Sequence, residues 1–163
     1  MTRTILVTGA TDGLGRGVVR ALAGSGATLL VHGRDAARID AVASELRASG
    51  TTVRTYLADL ASLAEVRDFG AAVLRQEPRL DVLINNAGIG TTVPTSGRTE
   101  SSDGIELRFA VNYLSHYLLT RTLLPLLKRS APARIVNVSS IGPTVSANHA
   151  PTRKPTTRAP ARS

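Results

Sequence analysis

At 163 residues, 42% of them apolar, the chain can bury one real core, and with 3% aromatic residues that core must be filled by Ala, Leu and Val. It has no cysteine, which excludes disulfides, thiolate nucleophiles and Cys-ligated zinc, and His32, His116 and His149 share no helical or hairpin spacing that would suit a metal. The formal charge of +8 points towards nucleic acid only until it is divided: residues 141–163 hold Arg153, Lys154, Arg158 and Arg162 and no acidic residue, so half of the excess lies there and the rest of the chain is mildly basic, as suits an anionic cofactor.

Met1-Thr2-Arg3-Thr4 runs straight into a strand-like stretch, with no long apolar leader segment. No apolar run approaches the ~18 residues of a membrane span. A cytoplasmic protein without a membrane partner is the expectation. Thr4 to Val7 reads as a first strand ending in a glycine-rich turn. Val18, Val19, Leu22 and Ala23 then follow helical spacing, stopped by Gly24 and Gly26. Thr28 to Val31 is the second strand. Asp35 is placed to cap a helix with Ile39, Val42, Ala43 and Leu46 on its apolar face and Gly50 at its close. Val53 to Leu57 is the third strand, and Ser62 with Glu65 forms a capping box before Val66, Phe69, Val73 and Leu74. Pro78 ends that helix, and Leu80 to Ile84 is the fourth strand.

A polar loop from Gly90 to Ser102 leads into a long helix, about Gly104 to Lys128. Its residues are apolar around much of the circumference, which predicts burial, and Pro125 is expected to kink its last turn. Arg134 to Val138 is the fifth strand. Strands alternating with helices argue for βαβ units and a parallel sheet with helices on both faces. After Ser140 the pattern changes: Pro143, Pro151, Pro155 and Pro160 fall among Thr and Ala with no apolar periodicity, and residues 141–163 are expected to be a disordered basic tail.

Glycines at a strand-to-helix turn let the backbone approach a pyrophosphate, and the helix N-terminus adds free N–H groups and a positive dipole end. Thr8-Gly9-Ala10-Thr11-Asp12-Gly13-Leu14-Gly15 has that form, although three glycines in eight residues also make an ordinary tight turn. Its spacing is Gly-x3-Gly-x-Gly. With Asn85-Asn86-Ala87-Gly88 after the fourth strand, Asn112 in the long helix and Asn137-Val138-Ser139-Ser140 after the fifth, it resembles the short-chain dehydrogenase/reductase family over residues 4–140. Phe109 to Thr120 and Ser130 to Ser140 further resemble the retinol-dehydrogenase-like branch.

The resemblance implies a Rossmann-type α/β fold with strand order 3-2-1-4-5, incomplete on its C-terminal side, and an NADP-binding domain over residues 1–140. It implies that Gly9, Gly13 and Gly15 cradle the pyrophosphate, with Thr11, Asp12 and Leu14 alongside. Asp59 and Leu60 would line the adenine pocket, although Asp59 can also be read as a loop carboxylate near a helix start. Asn86, Ala87 and Gly88 would flank the adenosine ribose. NAD-specific members place an acidic residue at the end of the second strand. Here Gly33 stands at that position and Arg34 follows it, so a 2′-phosphate meets a guanidinium and no carboxylate. NADP(H) is therefore the expected cofactor and NAD(H) the lesser alternative; an Arg34–Asp35 pair is the competing use of the arginine.

The same resemblance places Ser140 and Asn112 in a catalytic relay whose other members are a Tyr and, four residues later, a Lys. Tyrosine occurs only at 56, 113 and 117, and no Tyr-x3-Lys follows Ser140. The expectation is an oxidoreductase by lineage, acting on a small-molecule alcohol or carbonyl, that is inactive as written. A premature end or frameshift after Ser140 is the expected origin of the altered tail. A non-catalytic NADP-binding module is the alternative. Nucleic-acid binding through the tail is disfavoured because the tail has no aromatic residue for stacking.

Overall fold

The computed structural model describes residues 2–90 and 99–139; Ser140 and the tail from 141 lie outside the described residues. In chain order the elements are β1 (Thr4–Val7), α1 (Gly13–Leu22), β2 (Thr28–Gly33), α2 (Ala36–Ala48), β3 (Thr52–Leu57), α3 (Leu63–Gln76), β4 (Val82–Asn85), α4 (Leu107–Phe109), a π-helical turn (Ala110–Leu114), α5 (Ser115–Arg129) and β5 (Arg134–Asn137). The five strands form one parallel sheet in the order β3-β2-β1-β4-β5, as expected from the sequence.

The strands sort their side chains by the two-residue period of an extended chain. Ile5, Val7, Leu29 and Val31 belong to one core with Val19 of α1 and Val42, Ala43 and Leu46 of α2. Leu6, Leu30 and Leu83 belong to the other, with Val66, Phe69 and Val73 of α3 and Leu119, Leu123 and Leu126 of α5. Such a sheet, sandwiched between two helical layers, explains why its central strands read as unbroken aliphatic runs. On the second face α3 and α5 approach closely, for a Cβ at Gly70 would lie 2.6 Å from Thr122 Cγ2.

Asp81, 6% exposed, ties the start of the sheet together: its Oδ2 accepts from the Thr4 N–H at 2.7 Å and from Arg79 Nε at 2.9 Å. The guanidinium beside it holds the carboxyl below its ordinary pKa.

The long helix departs from the expected outline. It starts at Leu107, where the Glu106 carboxylate accepts from the N–H groups of Arg108 and Phe109, because Gly104 lies in a left-handed turn at φ 72°. The π turn interrupts it at 110–114, and Pro125 is accommodated inside α5, which continues to Arg129. Burial is confined to one face: Phe109, Tyr113 and Tyr117 are more than half or half exposed, at 50%, 59% and 56%. β2 runs two residues past Val31, which brings His32 and Gly33 into the sheet.

Candidate functional site

The carboxyl ends of β1, β2 and β4 open onto a cleft of about 490 Å³, at the point where the strand order reverses direction from β1. Three walls meet there. The β1–α1 turn contributes Gly9, Thr11, Asp12, Gly13, Leu14 and Gly15; the ends of β2 and β3 contribute Arg34, Asp59 and Leu60; the segment after β4 contributes Asn86, Ala87 and Gly88. All of the cofactor residues expected from the sequence thus line one cavity.

The floor of the cleft is built by contacts that admit no Cβ. Gly9 has φ 63°, and a Cβ on it would come within 2.8 Å of Ala87 Cα. A Cβ on Gly15 would lie 2.1 Å from the Gly9 carbonyl oxygen and 2.4 Å from Asn86 Nδ2. The first helical turn is therefore pressed onto the β1 turn and the β4 segment, and only a bare Cα allows it. Thr8, fully buried, stitches the same region: its Oγ1 accepts from the N–H groups of Asn86 at 2.9 Å and Ala87 at 3.0 Å. Asn86 Nδ2 donates back to the carbonyls of Thr8 and Gly9.

His32 was not among the site residues expected from the sequence, yet it lies beneath the turn. Only 2% exposed, it stacks on Phe69 with ring centroids 4.6 Å apart. Nδ1 accepts from the Gly9 N–H at 3.2 Å, which leaves Nε2 as the donor to the Ala58 carbonyl at 3.1 Å. Burial pushes its pKa down to about 4, against smaller upward effects of the Ala58 carbonyl and of Asp59, so the ring is neutral at pH 7. A neutral imidazole thereby bridges the ends of β1 and β3. A histidine between aliphatic Val31 and Gly33 at a strand end carries no local signal of that role.

Two guanidiniums reach the open end of the cleft. Arg34 is exposed on its wall and, among the described residues, forms no salt bridge. The alternative partner Asp35 is instead the N-cap of α2, its Oδ1 accepting from the Arg38 N–H at 3.1 Å. Arg38, four residues on, also lines the cleft; its Nη1 lies 3.5 Å from Asp12 Oδ2. Asp12 itself caps α1, accepting from the Gly13 N–H at 2.8 Å. The Asp59 carboxylate forms a local turn with the Ala61 N–H at 2.9 Å while remaining on the cleft wall. The geometry thus shows the loop carboxylate and leaves Asp59 on the cleft wall, where the adenine reading would need it.

Asn112 lies in the π turn, and its amide clasps the chain after β4: Oδ1 accepts from the Ile89 N–H at 2.8 Å and Nδ2 donates to the Ile89 carbonyl at 3.1 Å. It faces a second cavity, also about 490 Å³, shared with His116, Asn137 and Ser139. Val138 lines both cavities. Ser140, the other expected catalytic residue, lies outside the described residues. Among the described residues no group of His, Asp or Glu could hold a metal, and no helix is long and apolar enough to cross a membrane.

The family model described as short chain dehydrogenase matches residues 3–152, twelve residues past the stretch 4–140 that carries the motifs. The chain is 46% identical over 151 residues to "Retinol dehydrogenase 14" of Mus musculus, with 85% of this chain and 44% of that protein covered. To "Retinol dehydrogenase 13" of Homo sapiens it is 41% identical, covering 85% and 41%. The chain thus spans less than half the length of these curated relatives. Among solved structures, a metagenomic short-chain oxidoreductase in complex with NADP superposes with a TM-score of 0.73 at 32% identity, over 85% of this chain and 62% of the other.

Proposed function

The chain belongs to the short-chain dehydrogenase family, and on that premise we propose that its cleft is an NADP(H) site and that the whole protein transfers hydride between NADP(H) and a small alcohol or carbonyl. The observation that carries the reading is the cleft itself: a floor at Gly9 and Gly15 too tight for a Cβ, with Arg34 and Arg38 at its open end. Gly9, Gly13 and Gly15 would hold the pyrophosphate at the start of α1, where helix geometry favours anions. Asp59 and Leu60 would face the adenine, and Asn86, Ala87 and Gly88 the adenosine ribose. Arg34, exposed and without a salt-bridge partner among the described residues, would take the 2′-phosphate, with Arg38 beside it.

When bound, the cofactor would donate hydride to a carbonyl or accept it from an alcohol; the protein would supply position and proton transfer. Asn112 and Ser140 carry that second task by the family pattern, together with a Tyr and Lys four residues apart. None of Tyr56, Tyr113 and Tyr117 is followed at that spacing by lysine, and Tyr56 is buried against Glu77, to which its hydroxyl donates at 2.7 Å. The 163 residues by themselves therefore bind cofactor without turning it over, since general acid–base catalysis contributes roughly 10²–10⁴-fold. NADPH oxidation with a panel of aldehydes and ketones is expected to show no turnover by this chain; rates typical of intact dehydrogenases would contradict that. Arg34→Ala tests the cofactor assignment: a charge-assisted contact is worth ~1.5–3 kcal/mol, so NADPH affinity should fall about ten- to hundredfold with little change for NADH. An unchanged NADPH affinity would refute the role of Arg34.

A further inference from the structure

Gly33 ends β2, paired with Leu57 of β3, and it is not among the glycines of positive φ. Its backbone would accept any residue; room for a side chain is what is missing. A Cβ there would lie 2.7 Å from Thr11 Cγ2, 3.3 Å from Thr11 Oγ1 and 3.0 Å from Ile39 Cγ1. Ile39 is 3% exposed in the core beneath α2 and cannot retreat. Thr11 relieves the closest contact by rotating but still leaves a heavy atom near the 3.3 Å position. Two of the three positions on its Cβ face Gly33, and a threonine has only one hydrogen to place in them, so a heavy atom remains in every staggered rotamer.

We propose that Thr11 and Gly33 form one steric lock on cofactor choice, with the Thr11 side chain occupying the volume from which an acidic residue at position 33 would have to reach a ribose 2′-hydroxyl. Arg34 favours the 2′-phosphate, and the filled space at Gly33 resists conversion to an NAD(H) site by a carboxylate at that position. This rests on the reading of the cleft as a dinucleotide site, and it makes Thr11 a specificity residue acting through its methyl group.

The test uses the 163-residue chain with Gly33→Asp, Thr11→Ala and the double variant, titrated with NADPH and NADH by fluorescence. Gly33→Asp alone should lose at least about tenfold in NADPH affinity and gain nothing for NADH; adding Thr11→Ala should raise NADH affinity about tenfold or more over the single variant. Equal NADH gains in the single and double variants overturn the lock. Thermal unfolding of Gly33→Ala, with and without Thr11→Ala, reads the contact without cofactor. The fall in Tm caused by Gly33→Ala should shrink by half or more when Thr11 is alanine, whereas additive changes overturn the steric coupling. Failure of the unmutated chain to bind either dinucleotide overturns the cofactor reading and the selectivity claim with it, and the thermal cycle still separates that failure from a failure of the steric coupling.

Discussion

His32 is held neutral beneath the glycine turn, and the chain's stability should record this. Its pKa in the folded protein is about 4 against an ordinary 6.5, so between those values the unfolded chain binds the extra proton and the folded chain does not. Stability is then fully present above pH 6.5 and is lost as pH falls towards 4, by on the order of 3 kcal/mol in all. His116, shifted the same way by burial, adds to the same slope. Urea denaturation at pH 7 and pH 5 should show the loss, and His32→Gln should flatten it; an unchanged slope in the variant would remove His32 as its source. At Gly15 the expectation is steric. Gly15→Ala drives a methyl into the Gly9 carbonyl and the Asn86 amide, should cost roughly 1–3 kcal/mol, and should abolish NADPH binding. The glycines were legible in the sequence because their spacing, read together with Asn85-Asn86-Ala87-Gly88, Asn112 and Asn137-Val138-Ser139-Ser140, resembles one family. His32 was not, because its part depends on β1, β3 and Phe69 of α3 meeting around it, and no local pattern encodes that meeting.

The elements follow their local signals most closely where a cap or an amphipathic face sets the boundary. Asp35 caps α2 and Ser62 caps α3, as the sequence predicts, and the four apolar positions named for α2 are all buried. The capping box at α3 forms only in part: Ser62 Oγ accepts from the Glu65 N–H at 3.3 Å, but Glu65 Oε2 reaches past the cap to the Asp59 N–H at 2.7 Å. Glu65 thereby braces the turn that carries Asp59 and Leu60 into the cleft. Alanine at 62 or at 65 should each cost about 1 kcal/mol of stability, and only Glu65→Ala should also weaken NADPH binding. Denaturation paired with titration separates the two; equal affinities would show that Glu65 does not support the cleft. The π turn was illegible for the opposite reason. Phe109 to Lys128 reads as continuous helix by periodicity, and a register change of one residue, placed where Asn112 clasps Ile89, leaves that periodicity almost unaltered.

At the scale of the whole molecule, one edge of the sheet is covered and, among the described residues, the other is open. β3 is flanked by the packed α2, whereas among the described residues β5 pairs with β4 alone, and all four of its residues are exposed. Ile135, Val136 and Val138 are 42%, 43% and 40% exposed, and on the helical rod Phe109 stacks on Tyr113 in the open, with Tyr117 also exposed. Exposed aliphatic strand edges and aromatic faces drive association. The chain should therefore sediment as concentration-dependent oligomers, and replacing Tyr113 and Tyr117 by serine should reduce them; a strictly monomeric chain at all concentrations would contradict this. The proposed cofactor cleft lies at the carboxyl ends of the central strands, away from β5, and should bind regardless of that open edge. Equilibrium titration of the unmutated chain with NADPH and NADH by intrinsic cofactor fluorescence tests that most directly. Saturable NADPH binding at least about tenfold tighter than NADH binding is the predicted result; equal affinity for the two, or no binding of either, would contradict it.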